Sequence, residues 1–422
     1  MKSSLVVITF LAFFLCACDE NEISSVQSES FIKYYALNRS NEGACVCEIP
    51  GGGYALLGNT TTELRASEIC LLLTDAFGNS IQDPKYYGTK NNDRGNCIKP
   101  APGGGFVILG STQDSVNGDN EVWLIRTNNI GDTLWTKTFA QFDKENGDDE
   151  GLWFDFNSKG DITMVGYIYK TDIGGYSKQM WIYDVDQDGN QIDNHKPITR
   201  GGRSDVDEAR FIRRIDGDDF LIAGVSNITN NPNAVSYSNI TYLESYYNST
   251  DLKYTESLDY FVEEDTLTLR DEANCLILVD NTTLLLCGVR VRTTGSQEAY
   301  LCRFNKIYDD ENKFDPKMEW IRYYSNSGNS EANHLLMEGN NVYILSTMSS
   351  ATDKSSTITI ITTGLDGNNP VYLPFGGSSK MESRNFSFVS DGGLIITGTN
   401  TDKDIIDISS MILIKTKAGG KL

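Results

Sequence analysis

Gly103-Gly-Gly-Phe-Val-Ile-Leu-Gly-Ser-Thr112 places a glycine turn before four apolar residues, then a closing glycine and a polar stretch. The same phrase recurs as GGGYALLGNT from Gly51, KGDITMVGYI from Lys159, GDDFLIAGVS from Gly217, NTTLLLCGVR from Asn281, GNNVYILSTM from Gly339 and DGGLIITGTN from Asp391. The closing positions are Gly58, Gly110, Gly166, Gly224, Gly288, Ser346 and Gly398, spaced 52 to 64 residues apart. Recurrence at such a period is the signature of a repeat architecture and precedes any element assignment.

Working outward, each phrase is followed by a second apolar run and a hairpin. The second copy is the clearest: Glu121-Val-Trp-Leu-Ile-Arg-Thr, the turn Asn129-Ile-Gly-Asp, then Thr133-Leu-Trp-Thr-Lys-Thr-Phe. Counterparts include ICLLLTDAFGN from Ile69, MWIYDVDQDGN from Met180 and ITIITTGLDGN from Ile358. Glycine supplies the positive φ that tight hairpins require. A further strand precedes each glycine turn, as in Ala44-Cys-Val-Cys-Glu-Ile and Arg384-Asn-Phe-Ser-Phe-Val. Four strands per unit, repeated seven times, predict an all-β chain forming a seven-bladed β-propeller with four-stranded blades.

The two ends of the repeat lead to the same expectation. The last copy stops at Leu422 after its third strand, while Phe31-Ile-Lys-Tyr-Tyr stands alone before the first copy, eleven residues ahead of Glu42. It matches Trp320-Ile-Arg-Tyr-Tyr, which lies eleven residues ahead of Glu331. A ring closed by the N-terminal strand completing the last blade accounts for both and leaves no exposed edge.

Composition excludes several functions. With 58 acidic and 36 basic side chains the net charge is −22, which is incompatible with binding nucleic acid through phosphate neutralisation. Two histidines among 422 residues leave little for histidine-based metal or general-base chemistry. No cofactor is expected.

The first residues read as an address. Lys2 precedes an uncharged apolar run from Leu5 to Ala17, too short to span a bilayer and of the length of a secretory signal. Leu15-Cys16-Ala17-Cys18 resembles a bacterial lipobox, which implies removal of residues 1–17 and acylation of Cys18, with lipid chains sufficient for stable anchoring. Residues 18–28 would form the acylated cysteine and a polar tether, and residues 29–422 the propeller. Asp19, Glu20 and Glu22 resemble the surface-export signal of Bacteroidota lipoproteins, which implies an outer-membrane, cell-surface location. The repeat itself resembles propeller repeats of Bacteroidota envelope proteins. It is more distantly similar to quinoprotein-type propellers with their tryptophan docking motifs. The adjacent cysteine pair of quinoprotein dehydrogenases is absent, since Val46 separates Cys45 from Cys47. The S-x-D-x-G-x-x-W boxes of propeller sialidases are absent too.

Candidate sites follow from aligning the copies. Glu42, Glu150, Glu208, Glu272, Glu331 and Glu382 share one column just before the innermost strand, with Arg94 in the second copy. They form either a carboxylate ring at the channel mouth that attracts cations or a basic partner, or caps for backbone N–H groups of their own turns. The insertion over residues 226–265 gathers Tyr237, Tyr242, Tyr246, Tyr247, Tyr254 and Tyr260 among Asn, Ser and Thr. This is either a stacking surface for a glycan or a pair of long outer strands. Asp184, Asp186 and Asp188 begin a calcium-loop pattern, yet His195 stands where a bidentate acid belongs and the segment aligns with ordinary hairpins. Cys45, Cys97 and Cys275 share one innermost-strand position, read as small and buried; a Cys45–Cys97 bridge is the alternative.

The expected function is that of a lipid-anchored, non-enzymatic binding or scaffold module for a glycan or protein partner. The alternatives are an envelope assembly scaffold similar in plan to the eight-bladed propeller lipoprotein of barrel assembly, or a glycan-active enzyme.

Overall fold

Because apolar runs of four to eight residues alternate with glycine turns, the chain makes short antiparallel strands. In the computed structural model, the described residues are 30–422 apart from 62–65, 114–117, 140–146, 173–174, 193–196, 201–206, 216–218, 227–236, 245–252, 261–267, 306–315, 326–327, 403 and 405–407. Residues 1–29, Cys18 among them, and Tyr246 and Tyr247 lie outside them. Only the backbone of Tyr242 is described, within the strand Tyr237–Glu244. Apart from a short 3-10 turn at Ala418–Gly420, the described elements are all β-strands.

Five four-stranded antiparallel sheets succeed one another along the chain, each strand pairing with the next in sequence. An eight-stranded sheet follows, in which two four-stranded sets meet at a single parallel bridge, Ser356 to Lys380. Its outermost strand is Phe31–Tyr35, paired antiparallel with Ser409–Lys415 from the other end of the chain. The strand Ser40–Glu48 of the first sheet packs against Lys380–Phe388, Leu394–Thr401 and Ser409–Lys415 of the last.

The sheets pack face to face through their apolar side chains, so the core is a series of layers between neighbours. One cluster joins Leu57 and Leu71 to Ile98, Leu109 and Leu124 and onward to Phe154, Met164 and Trp181. Second strands such as Phe106–Gln113 and Phe220–Ser226 are buried on both faces, which is why the repeat phrase is continuously apolar rather than alternating.

At the outer edge, an aromatic side chain of one set covers the hairpin glycine of the next. A Cβ on Gly189 would lie 2.7 Å from the Trp135 ring, one on Gly367 2.8 Å from Trp320, and one on Gly78 2.7 Å from Phe31. Tyrosine hydroxyls reinforce the same joints: Tyr324 donates to Gly367 O at 2.9 Å and Tyr35 to Gly78 O at 2.6 Å. The Phe31 and Tyr35 contacts run from the C-terminal set to the first sheet.

The closing glycine of the repeat has a steric cause. The first strands of the sets are Ser40–Glu48, Asp93–Pro100, Glu150–Phe156, Glu208–Arg214, Thr268–Asp280, Ser330–Glu338 and Lys380–Phe388. Each carries a β-bulge two residues after the Glu column, between Gly43 and Cys45, for example, and between Ala332 and His334. The bulge drives the carbonyl of the column residue toward the partner strand. A Cβ on Gly110 would collide with Arg94 O, one on Gly166 with Glu150 O, and one on Gly288 with Glu272 O. At Ser346, the exception, the hydroxyl donates a 2.7 Å hydrogen bond to Glu331 O instead. Gly110→Ala is therefore expected to lower stability by at least ~2 kcal/mol through overpacking. Ser346→Gly should lose only about 1 kcal/mol, the value of one hydrogen bond. Urea unfolding of the two variants checks the order.

Candidate functional site

The seven bulged strands bring residues at and beside the column to one cavity. A cavity of about 700 Å³ is lined by residues of all of them, including Gly43, Asn96, Glu150, Arg210, Glu272, Glu331 and Arg384. Glu42 and Glu382 stand at its rim through their ion pairs with Arg94 and Arg384.

The carboxylates do not cap their own turns among the hydrogen bonds described; they are tied to cations and to amides of neighbouring sheets. Arg94, which replaces Glu in the column, lies 3.4 Å from Glu42 and 3.6 Å from Glu150. Glu208 accepts from Arg210 Nε at 2.8 Å and from Lys178 Nζ. Arg210 Nη1 donates to Glu272 at 2.8 Å and to Asn274 Oδ1 at 2.8 Å. Tyr167 donates to Glu150 at 2.6 Å. Lys380 and Arg384 flank Glu382 at 2.6 and 3.3 Å.

The bulge explains how these residues meet. In four of the seven bulged strands the extra residue (Asn96, Arg210, Asn274, Asn333) is turned toward the next sheet. Asn96 Nδ2 reaches Glu150 Oε1 at 2.7 Å and Gly151 O at 2.9 Å. Asn274 Nδ2 reaches Ala332 O at 3.0 Å, and Asn333 Nδ2 reaches Ser383 O at 3.0 Å. The same residues thus lock the inner strands together and furnish the mouth.

The electrostatics follow. Burial alone would raise the Glu208 carboxyl, but the Arg210 and Lys178 charges prevail and bring it down to about 2. Glu331 goes the other way: burial, with help from Glu272, pushes it above the usual carboxylate range despite Arg210 and Arg384. Five of the six column carboxylates are ion-paired, with Arg94, Lys178, Arg210, Arg270, Lys380 and Arg384 as partners, while Glu331 accepts from Asn274 Nδ2 at 3.3 Å; six cations thus stand against six carboxylates. The mouth is consequently charge-balanced, not a focus of negative potential.

An aromatic septum floors the cavity. Trp153, Phe211 and His334 pack with ring centroids 5.1 to 5.5 Å apart, and Phe386 stands 5.5 Å from His334. Trp153 Nε1 and both His334 nitrogens are buried without a hydrogen-bond partner. Burial, with Arg213 and Lys99 nearby, lowers the His334 pKa to about 3, so the ring is neutral. Trp153, Phe211 and His334 occupy the same column as Cys45, Cys97 and Cys275, so extending that column across all copies is the signal for the septum.

The remaining sequence candidates fall elsewhere. Asp186 is a turn residue whose Oδ1 accepts from Asp188 N at 2.9 Å and Asn190 N at 2.8 Å, as Asn128 does for Ile130 and Asp132. Among the described residues, no group of three or more His, Cys, Asp or Glu side chains is placed to hold a metal. The seven described cysteines are free and buried, Cys45 and Cys97 included. Burial pushes Cys70 and Cys275 up to about 12.

No protein-family model matches the chain, and no curated protein matches it by sequence. Among solved structures it is similar to the polysaccharide lyase Uly1, at 9% identity and TM-score 0.53, over 86% of this chain and 88% of that one. It is also similar to the β-propeller domain of the Trilobed protease from Pyrococcus furiosus (11% identity, TM-score 0.47, 91% and 96% covered). A third is YCF48 from Cyanidioschyzon merolae (8% identity, TM-score 0.47, 91% and 98% covered). The chain is all-β by its described elements, and the solved structures it is similar to at low identity include a β-propeller domain.

Proposed function

We propose that this chain is a lipid-anchored envelope protein whose seven-bladed propeller acts as a non-enzymatic binding module, with its ligand site at the charge-balanced mouth of the axial cavity. Support for the ring comes from Phe31–Tyr35 pairing with the last strand and from its side chains reaching the first sheet. Support for the anchor is the Leu15-to-Cys18 sequence. Labelled palmitate should be incorporated by the wild-type chain and lost in Cys18→Ser.

The observation that carries the binding reading is the alternation of Glu, Arg and Asn around an aromatic floor. A ring of matched charges has no net attraction for a bare cation. It does offer many donors and acceptors held in place by one another, and preorganised polar groups lose little entropy on binding. With Trp153 and Phe211 below, that is the chemistry of a neutral, hydroxyl-rich ligand such as an oligosaccharide. Neutral glycans on an array should retain the mature protein. Retention of membrane proteins with no glycan retained would favour an assembly scaffold instead.

A second reading rests on one observation. Glu331 is pushed up and Glu208 down within one mouth, and carboxyls driven apart in this way suit acid and base roles. Release of reducing sugar from a retained glycan, abolished by Glu331→Gln, would establish a glycan-active enzyme.

A further inference from the structure

Trp153, Phe211 and His334 also line a second cavity, of about 670 Å³, on the other side of the septum. Its chemistry is different. The charged residues lining it are Lys99, Arg213, Arg214 and one carboxylate, Asp155. A net positive recess is unexpected in a chain of net charge −22.

Asp155 is already engaged. It accepts from Lys99 Nζ at 2.8 Å and from the Arg214 backbone N–H at 2.9 Å. Arg213 is exposed, and no hydrogen bond or ion pair joins its guanidinium to any described residue. Arg213 nevertheless lines the cavity alongside His334. The floor holds the buried, unpartnered nitrogens of Trp153 and His334, and unsatisfied buried donors call for a partner. Trp153, Phe156 and Phe386 supply flat apolar walls.

We propose that this second cavity binds a sugar acid, its carboxylate held by Arg213 with Lys99 and Arg214 flanking and its ring against the aromatic walls. A guanidinium fork matches a carboxylate through two parallel hydrogen bonds, which an ammonium does not reproduce. The volume lies within the range of small-ligand sites. The septum separates this ligand from any bound at the opposite mouth, so the inference stands apart from the neutral-glycan reading.

The test is calorimetric titration of the mature protein with galacturonate, galactose and sodium sulfate. Galacturonate should bind at least about tenfold more tightly than galactose or sulfate, a difference of about 1.4 kcal/mol. Arg213→Gln should weaken galacturonate at least about tenfold without moving the melting curve, with Arg213→Lys between the two. Arg94→Ala/Arg384→Ala, at the opposite mouth, should leave it unchanged. The proposal is overturned by equal binding of galactose, by sulfate binding as tightly as galacturonate, or by no binding of galacturonate. Full affinity in Arg213→Gln, or loss in the Arg94/Arg384 variant, overturns it as well.

Discussion

Arg290→Met is expected to lower the unfolding free energy by about 3–5 kcal/mol, the cost of leaving one buried charge without its partner. Arg290 and Asp271 face each other on adjacent strands with both side chains fully buried, joined by a 2.8 Å Nε–Oδ1 contact and a 2.9 Å Nη2–Oδ2 contact. The bidentate fork pairs one edge of the guanidinium with the carboxylate, and the low surrounding dielectric makes loss of either charge costly. Replacing both by apolar residues, Arg290→Met with Asp271→Leu, should recover most of the loss, because the desolvation cost of the two charges disappears with them. Denaturant unfolding of the three proteins measures this. A double variant no more stable than the single one would mean that the pair has a role beyond mutual neutralisation.

The second large effect is a loss of stability in mild acid through His334. Its pKa is about 3 folded against 6.5 for the free side chain. The unfolded chain therefore binds the proton first. Stability from this group is complete above pH 6.5 and falls, as pH drops toward 3, by about 1.4 kcal/mol per unit. Between pH 6.5 and 4.5 this gives a loss on the order of 2–3 kcal/mol before most carboxylates titrate. Glu208 acts in a lower window: depressed to about 2 from 4.5, it loses its contribution only as pH falls through that interval. His334→Phe, which keeps a ring between Phe211 and Phe386, should flatten the upper slope and leave the lower one. An unchanged slope in that variant would assign the sensitivity elsewhere.

The parts legible in the amino-acid sequence are those set by local chemistry. Glycine turns and apolar runs gave the strands directly: Thr133–Phe139 and Phe31–Tyr35 have the bounds read from the repeat. The Glu column was legible because it recurs at one position. Its pairing was not, since Arg210 comes from the bulge and Lys178 from a different strand of another sheet. Recurrence at one position shows the carboxylates but says nothing about which cations stand beside them. Cys45, Cys97 and Cys275 were read as a small, buried column, and they are buried. The large rings at the same position in other copies, Trp153, Phe211 and His334, were not read as its complement. Lys99 and Arg213 carried no signal, because they lie at the far ends of strands and converge only through the arrangement of the sheets.

The central claim is that the charge-balanced axial mouth is the binding surface, and the variant to use is Arg94→Ala/Arg384→Ala. Both side chains are nearly half exposed, at 46% and 43%, so the fold should survive their loss. The most direct measurement is the binding isotherm of the tightest neutral array glycan to wild type, to this variant and to a chain with Tyr242, Tyr246 and Tyr247 changed to Ala. The account predicts a loss of affinity of at least about tenfold in the arginine variant and none in the tyrosine variant. Full affinity without the arginines, together with loss without the tyrosines, would contradict it and move the site to the 226–265 insertion.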